Sequence, residues 1–165
     1  MVKGFTMIYE QSTGLWKSGD GNTILARCYS GAGEGKNNPD KQAVHNVGPI
    51  PRGWYTLQEP EFTGPGETSP HGSYVIPLKP DPENDMDGDP NRDLPDRGGF
   101  LAHGDNVHSP GTASKGCVIP LNGRVGGKVV LAGRALREAL WEYGKTEGQR
   151  LQVVSGPWPL PVIAS

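Results

Sequence analysis

Residues 100–105 read Phe-Leu-Ala-His-Gly-Asp, and residues 112–119 read Thr-Ala-Ser-Lys-Gly-Cys-Val-Ile. Each segment contains a short apolar run, which predicts two strands joined by a loop. His103 ends the first run and Cys117 directly precedes the second, so a short loop can bring the imidazole back to the sulfur. A thiol needs a nearby base to become a nucleophile at neutral pH. The pattern therefore predicts a thiol acyl-transfer site.

Small residues flank both candidate catalytic side chains. Gly116 leaves room for a carbonyl to approach Cys117, and backbone N–H groups at this turn can face a developing oxyanion. Gly104 follows the histidine in the same way. The alternative is a buried cysteine near an unrelated surface histidine. The glycines and the Ser-x-Gly-Cys run at 114–117 favour the catalytic interpretation.

Length and composition predict one loop-rich β domain. The 165 residues can bury a core, and we expect a single catalytic domain over 1–165, with its core at about 5–154 and a proline-rich tail at 156–165. Glycine (25) and proline (16) make up about a quarter of the chain without a repeating period. A net charge of −2 argues against a nucleic-acid partner. We expect no signal peptide and no membrane span, because no apolar stretch fits either.

Apolar runs separated by Gly, Pro, Asn and Asp turns predict short strands along the chain. These strands are expected at 5–9, 15–17, 23–29, the end of 46–57, 74–78, 100–103, 118–121, 128–131 and 151–154. Pro120 is expected to interrupt the strand after Cys117. Residues 134–144 have helical spacing, with Gly144 as the expected C-cap. The pattern predicts a mainly β fold, a sandwich with long loops and one helix in the C-terminal half.

The sequence shows no paired Cys-x-x-Cys or His-Glu-x-x-His spacing, so we expect no metal and no cofactor. Cys28 lies in a predicted strand and is expected to be a core residue; a bridge to Cys117 is the weaker alternative, because it would silence the thiol. Residues 81–96 are acidic, but an EF-hand register that starts at Glu83 puts Leu94 where a bidentate carboxylate is needed. This stretch is expected to be a solvated excursion or lid, with an irregular calcium site as the alternative.

With these motifs in view, a family resemblance can be stated. His103-Gly104 followed by residues 114–118 resembles the active-site signature of L,D-transpeptidases, a histidine upstream of a Ser/Thr-x-Gly-Cys run. The chain more closely resembles the L,D-transpeptidase-type effectors of bacterial type VI secretion systems, with a distant relation to YkuD-type catalytic domains. Three ordered motifs carry this resemblance, at 29–39, 48–55 and 97–105. It spans roughly residues 5–154 and implies an L,D-transpeptidase-like β-sandwich.

The resemblance also has departures, which favour the effector branch. Lys115 and Val118-Ile119 stand where ordinary L,D-transpeptidases usually have a histidine before the Gly-Cys and an arginine soon after the cysteine. Binding of the substrate carboxylate is therefore not assigned by the signature. Arg97 is the candidate for that role.

Several side chains near the predicted site have two open roles. Asp105 or a backbone carbonyl orients His103, or Asp105 is a simple turn residue. Ser114 shapes the turn or donates in the chemistry, together with the oxyanion loop at Gly116. His108 is the rival base, and its neighbours suggest an exposed loop, so His103 is preferred.

The resemblance implies that the substrate is a peptidoglycan peptide stem. The Cys117 thiolate would attack the third residue of a tetrapeptide stem, release D-Ala and form a thioester. Water would then give L,D-carboxypeptidase activity, whereas an amine would give L,D-transpeptidase exchange or cross-linking. The rivals are a non-catalytic cell-wall-binding or phage or secretion structural module, and a metallohydrolase using His103, His108 and Cys117.

The same resemblance implies a place of action and further partners. We expect a toxin that is made in the cytoplasm without a signal peptide. A secretion apparatus would deliver it into the periplasm of a target bacterium. A cognate immunity protein would cap its cleft.

Overall fold

In the part of the chain that the computed structural model describes, short runs of β-branched and aromatic residues form nine strands. The structure describes residues 6–44, 46–62, 74–81, 99–105, 109, 111–130, 134–146 and 148–157. The elements are β1 (Met7–Glu10), β2 (Leu15–Lys17), β3 (Ile24–Ser30), β4 (Gly53–Leu57), β5 (Ile76–Pro80), β6 (Leu101–Ala102), β7 (Val118–Val125), β8 (Lys128–Val130), α1 (Arg134–Thr146) and β9 (Arg150–Val154). Two 3-10 turns, Gly33–Gly35 and Pro39–Lys41, lie between β3 and β4.

The strands form one hydrogen-bonded sheet in the order β3-β2-β1-β9-β4-β5-β6-β7-β8. Because β3 also pairs with β7, eight of the strands close into a ring, and β8 lies outside it as a hairpin partner of β7. The predicted mainly β class with a helix in the C-terminal half is confirmed. The expected sandwich takes the form of this single closed sheet. No helix in the described ranges is long and apolar enough to cross a bilayer.

The seam between β3 and β7 closes the ring at a proline. The expectation that Pro120 interrupts the strand is wrong, because β7 runs continuously across it. The register shifts between Arg27 and Cys28, so that Cys28 lies opposite Pro120 and Arg27 lies opposite Asn122. Such a bulge tolerates a residue that cannot donate a ladder hydrogen bond.

The helix packs its apolar face on the ring through the fully buried Leu136 and Leu140. Gly144 was expected to end this helix, and that expectation is wrong because α1 continues to Thr146. A Cβ at Gly144 would lie 3.1 Å from both Leu57 Cδ2 and Met7 Cε. The glycine therefore allows close packing of α1 against the ring.

The strand pairings determine which loops meet. β3 is antiparallel to β7, β9 is antiparallel to β4, and β1 is parallel to β9. With the remaining pairings around the ring, the carboxyl ends of β1, β3 and β9 lie at the same end as the amino ends of β4 and β7. We call this the cysteine end, because Cys117 immediately precedes β7.

We expect Gly123→Ala to destabilise the protein strongly at the β3–β7 seam. A Cβ at Gly123 would lie 2.0 Å from the Leu25 carbonyl oxygen, and that backbone clash is relieved only by separating the strands. The expected loss is about 2 kcal/mol or more in the free energy of unfolding, measured by chemical denaturation. Gly156→Ala is the control, since an added Cβ there meets no atom within 4 Å. Equal stability of the two variants would contradict a tightly paired seam.

The two cysteines are expected to differ in reactivity. Cys28 belongs to the hydrophobic core, and burial raises the pKa of its thiol, so it stays protonated near neutral pH in the folded state. Cys117 is partly exposed. Iodoacetamide at about pH 8 should therefore alkylate Cys117 in the native protein and reach Cys28 only after denaturation, as peptide mass spectrometry would show. Rapid native labelling of Cys28 would argue against its core position.

Candidate active site

The parallel pairing of β6 with β7 brings the two predicted catalytic residues together. Ala102 lies beside Val118, and the His103 N–H donates to the Val118 carbonyl at 3.1 Å. Side chains alternate between the faces of a sheet, and paired residues share a face. Ala102 and Val118 both belong to the core. His103 and Cys117 therefore both project to the opposite face, as diagonal neighbours.

His103 is oriented by a backbone carbonyl. Its side chain is almost fully buried, and Nδ1 lies 2.8 Å from the Gly104 carbonyl oxygen. A carbonyl can only accept a hydrogen bond, so Nδ1 carries the proton and Nε2 carries the lone pair. This is the tautomer that a general base needs. Of the two orienting groups considered from the sequence, the structure shows this contact from the carbonyl of Gly104.

Cys117 lies in a polar backbone environment. The Leu101 N–H donates to its Sγ at 3.3 Å, and the Gly99 carbonyl oxygen lies 3.9 Å from the sulfur. An N–H directed at sulfur stabilises negative charge there. Neither cysteine forms a disulfide bond, and Cys28 faces the core opposite Pro120. The two thiols thus have opposite environments, and that of Cys117 suits a nucleophile.

Ser114 holds the turn that presents the cysteine. Its buried hydroxyl donates to the Cys117 carbonyl at 2.6 Å and accepts from the N–H groups of Gly31 at 2.8 Å and Gly116 at 3.1 Å. These three bonds tie the glycine-rich loop after β3 to the cysteine loop. They supply a direct basis for the turn-shaping role. Gly116 has a φ of 135°, which a glycine adopts without strain.

Ser30 is a site residue that sequence reasoning missed. Its fully buried hydroxyl donates to the Gly116 carbonyl at 3.1 Å and accepts from the Ile50 N–H at 2.8 Å. Ser30 therefore links the cysteine turn to the Gly-Pro-Ile-Pro segment. The sequence offered only its place in a glycine-rich motif as a signal.

Asp105 and Tyr29 brace the described residues of the loop between His103 and Cys117. The Tyr29 hydroxyl donates to Asp105 Oδ1 at 2.5 Å and accepts from the Ala113 N–H at 3.0 Å. The Gly111 N–H donates to both carboxylate oxygens, at 3.0 and 3.1 Å. Burial, followed by the bond to Asp105, raises the pKa of Tyr29, so the phenol remains a donor at neutral pH. Asp105, which follows His103 by two residues, is thus tied directly to Gly111 and through Tyr29 to Ala113.

Lys36 covers this brace from the solvent side. Its Nζ donates to the Gly111 carbonyl at 2.7 Å and lies 4.6 Å from the centre of the Tyr29 ring. The contact combines a charge-assisted hydrogen bond with a cation–π interaction. The glycine-rich loop therefore holds the cysteine loop at two places, one buried and one exposed.

Some predicted residues lie outside the described part of the chain. These are Arg97, the rival base His108 and most of the acidic stretch 81–96. Among the described residues, no group of three His, Cys, Asp or Glu side chains could hold a metal ion. The described site therefore consists of a histidine, a thiol and the hydrogen bonds that position them.

Comparison with known proteins assigns the chain to a family. The family model of the Tlde1 domain matches residues 25–126, which is more than half of the chain and runs from β3 to the end of β7. The matched segment contains His103, Cys117 and all the bracing residues described above. No curated protein and no solved structure matches the chain. The chain belongs to the Tlde1 domain family, the L,D-transpeptidase-type effectors of type VI secretion.

Proposed function

We propose that this protein is a cysteine acyltransferase or hydrolase that acts on the tetrapeptide stems of peptidoglycan. The observation that carries the proposal is the β6–β7 pairing, which places the Nδ1-protonated His103 and the partly exposed Cys117 on one face. Family membership supports the substrate class, because the family comprises L,D-transpeptidase-type effectors. In this proposal the domain is distantly related to YkuD-type catalytic domains.

The first half-reaction forms a thioester. Nε2 of His103 takes the thiol proton, and the Cys117 sulfur attacks the carbonyl carbon of the third stem residue. Collapse of the tetrahedral intermediate breaks the peptide bond, and His103 protonates the departing amine of D-Ala. The acyl group remains on the sulfur.

The second half-reaction depends on the acceptor. His103 deprotonates a water molecule or an amine, which attacks the thioester carbonyl and releases the thiol. Water gives L,D-carboxypeptidase activity, and a D-amino acid or a second stem gives L,D-transpeptidase products. One acyl-enzyme thus serves both outcomes.

The oxyanion would be held by backbone N–H groups of the turn at Gly116 and Cys117. The Gly116 N–H already donates to Ser114 Oγ at 3.1 Å, so Ser114 and the oxyanion would share this donor. Ser114 Oγ also donates to the Cys117 carbonyl and accepts from the Gly31 N–H. The turn is therefore held in place before substrate arrives.

The biological setting follows from the family and is likewise proposed. As a type VI secretion effector, the protein would be delivered by that apparatus and act in the periplasm of a target bacterium. A cognate immunity protein would block the site in the producing cell. The alternative, a cell-wall-binding or structural module, differs in needing no thiol.

Cys117→Ala is expected to abolish turnover of disaccharide-tetrapeptide muropeptides, with and without D-Met as acceptor. Loss of the nucleophile should lower kcat by about a thousandfold or more. The readout is product mass spectrometry, in which the wild type loses D-Ala or exchanges it for D-Met. Cys28→Ala serves as the matched thiol control and should retain activity. Equal products from wild type and Cys117→Ala, or none from a folded and reduced wild type on tetrapeptide and pentapeptide stems, would favour the binding module.

Tyr29→Phe is expected to lower kcat about tenfold, because Asp105 and Ala113 lose their shared partner and the loop loses its brace. Binding of substrate to the positioned groups should change less, so KM should vary by less than kcat. The measurement is steady-state release of D-Ala together with the melting temperature.

Tyr9→Phe is the matched control for that variant. The Tyr9 hydroxyl is buried without a hydrogen-bond partner among the described residues, so its removal should leave activity unchanged and stability equal or higher. A tenfold kcat loss in Tyr9→Phe, or none in Tyr29→Phe, would argue against a positioning role for Tyr29.

A further inference from the structure

A concave feature lies at the cysteine end of the ring. A cleft of about 360 Å³ separates the start of β4 from the segment that follows β9. Arg52, Gln152, Ser155 and Pro157 are among the residues that line it. None of its lining residues, all within the described ranges, is acidic. The cleft therefore combines one cation and two neutral polar side chains with a wall of valine, glycine and proline, which suits an anionic group carried on an organic ligand.

The charge of Arg52 is not neutralised within the described part of the chain. Its side chain is exposed and forms no ion pair or hydrogen bond with another described residue. Arg150, at the other end of β9, differs, since it pairs with Asp81 through two bonds of 2.8 Å. A guanidinium at a cleft presents donors that match a carboxylate in geometry and charge.

The backbone that carries Arg52 is fixed by buried amides. The Arg52 N–H donates to Gln42 Oε1 at 3.0 Å, and Gln11 Nε2 donates to the same oxygen at 3.0 Å and to the Ile50 carbonyl at 2.8 Å. Gln11 is fully buried and Gln42 nearly so. Buried amides are costly unless hydrogen-bonded, and here their bonds hold residues 50–52 in one conformation. The Arg52 side chain therefore extends from a backbone segment that is already held in one conformation.

The same segment is connected to the nucleophile loop. Ser30 Oγ bridges the Ile50 N–H at 2.8 Å and the Gly116 carbonyl at 3.1 Å, next to Cys117. Two residues from Ile50 to Arg52 span at most about 7 Å, and the long arginine side chain extends from there. Because the scissile carbonyl belongs to the third stem residue, the free carboxylates of the second and fourth residues lie one or two residues from it, roughly 4 to 7 Å along an extended stem. The Arg52 guanidinium and a stem carboxylate can therefore meet.

We propose that Arg52 and this cleft bind a free carboxylate of the same peptide stem that is acylated on Cys117. This inference rests on the proposed function. A tetrapeptide stem has such groups on both sides of the scissile bond: the α-carboxylate of the γ-linked glutamate and the terminal carboxylate of D-Ala. Arg52 would act as a specificity residue that selects stems by their charge, the role for which the sequence offered Arg97.

The test measures binding in the Cys117→Ala background, where loss of the nucleophile is expected to prevent turnover. Isothermal titration compares three synthetic tetrapeptide stems: one with free carboxylates, one with isoglutamine in place of isoglutamate, and one with a C-terminal amide. Amidation of the bound carboxylate should weaken affinity about five- to tenfold, and Arg52→Gln should remove that difference. The amidated stem that shows the loss identifies which carboxylate is bound.

Arg27→Gln is the matched control, since Arg27 is also exposed, and it lies on β3 away from the cleft. It should retain full discrimination, and Arg52→Lys should retain part of it. If the Arg52→Gln variant distinguishes free from amidated stems as well as the Cys117→Ala protein does, the inference is overturned. It is also overturned if the Cys117→Ala protein itself does not distinguish them. Turnover by the wild type without discrimination would overturn this inference alone. Discrimination without any turnover would overturn the proposed chemistry and leave the carboxylate site standing.

Discussion

The pairing of Ala102 with Val118 is the contact on which the geometry of the site depends. Parallel neighbours usually need a long crossover, because the chain must return along the length of a strand. Here β6 has two residues and pairs only with the start of β7. The loop between them therefore ends beside the position in the sheet at which it began. A slip of one residue would turn His103 or Cys117 into the core. The buried Ala102 and Val118 oppose that slip.

Buried polar side chains fix the loops that the strands leave undetermined. Ser30 and Ser114 join the cysteine turn to two other loops, and Gln11 and Gln42 hold the segment before β4. Each of these groups would be costly to bury if its bonds were broken. The loops are therefore mutually dependent, and their common arrangement is favoured over independent movement. Such support is what keeps reacting groups within a fraction of an ångström of a productive geometry.

Local patterns predicted the candidate nucleophile and base, because their signal lies in neighbouring residues. Most strand positions and the helix start at Arg134 were predicted for the same reason. Closure of the sheet was not predicted, because the β3–β7 seam joins residues about ninety positions apart. The bulge that accommodates Pro120 exists only when these two strands are paired. Gly144 was misassigned because its reason is a tertiary contact with β1 and β4. The role of Ser30 depends on partners from two distant loops, which no spacing rule reveals.

The parallel pairing of β1 with β9 has a consequence for how the protein is made. Met7 pairs with Leu151, so β1 gains its second neighbour only from a strand that lies 144 residues later in the sequence (151 − 7). A growing polypeptide on the ribosome can pair β1, β2 and β3 early, whereas the β3–β7 seam needs residues up to Val125 and β9 is the strand that joins β1 to β4. Pairings between such remote segments form slowly, and the edges of β1 and β4 stay open to other strands meanwhile. Biosynthesis thus leaves a window in which a chaperone that shields sheet edges would raise the yield of folded protein.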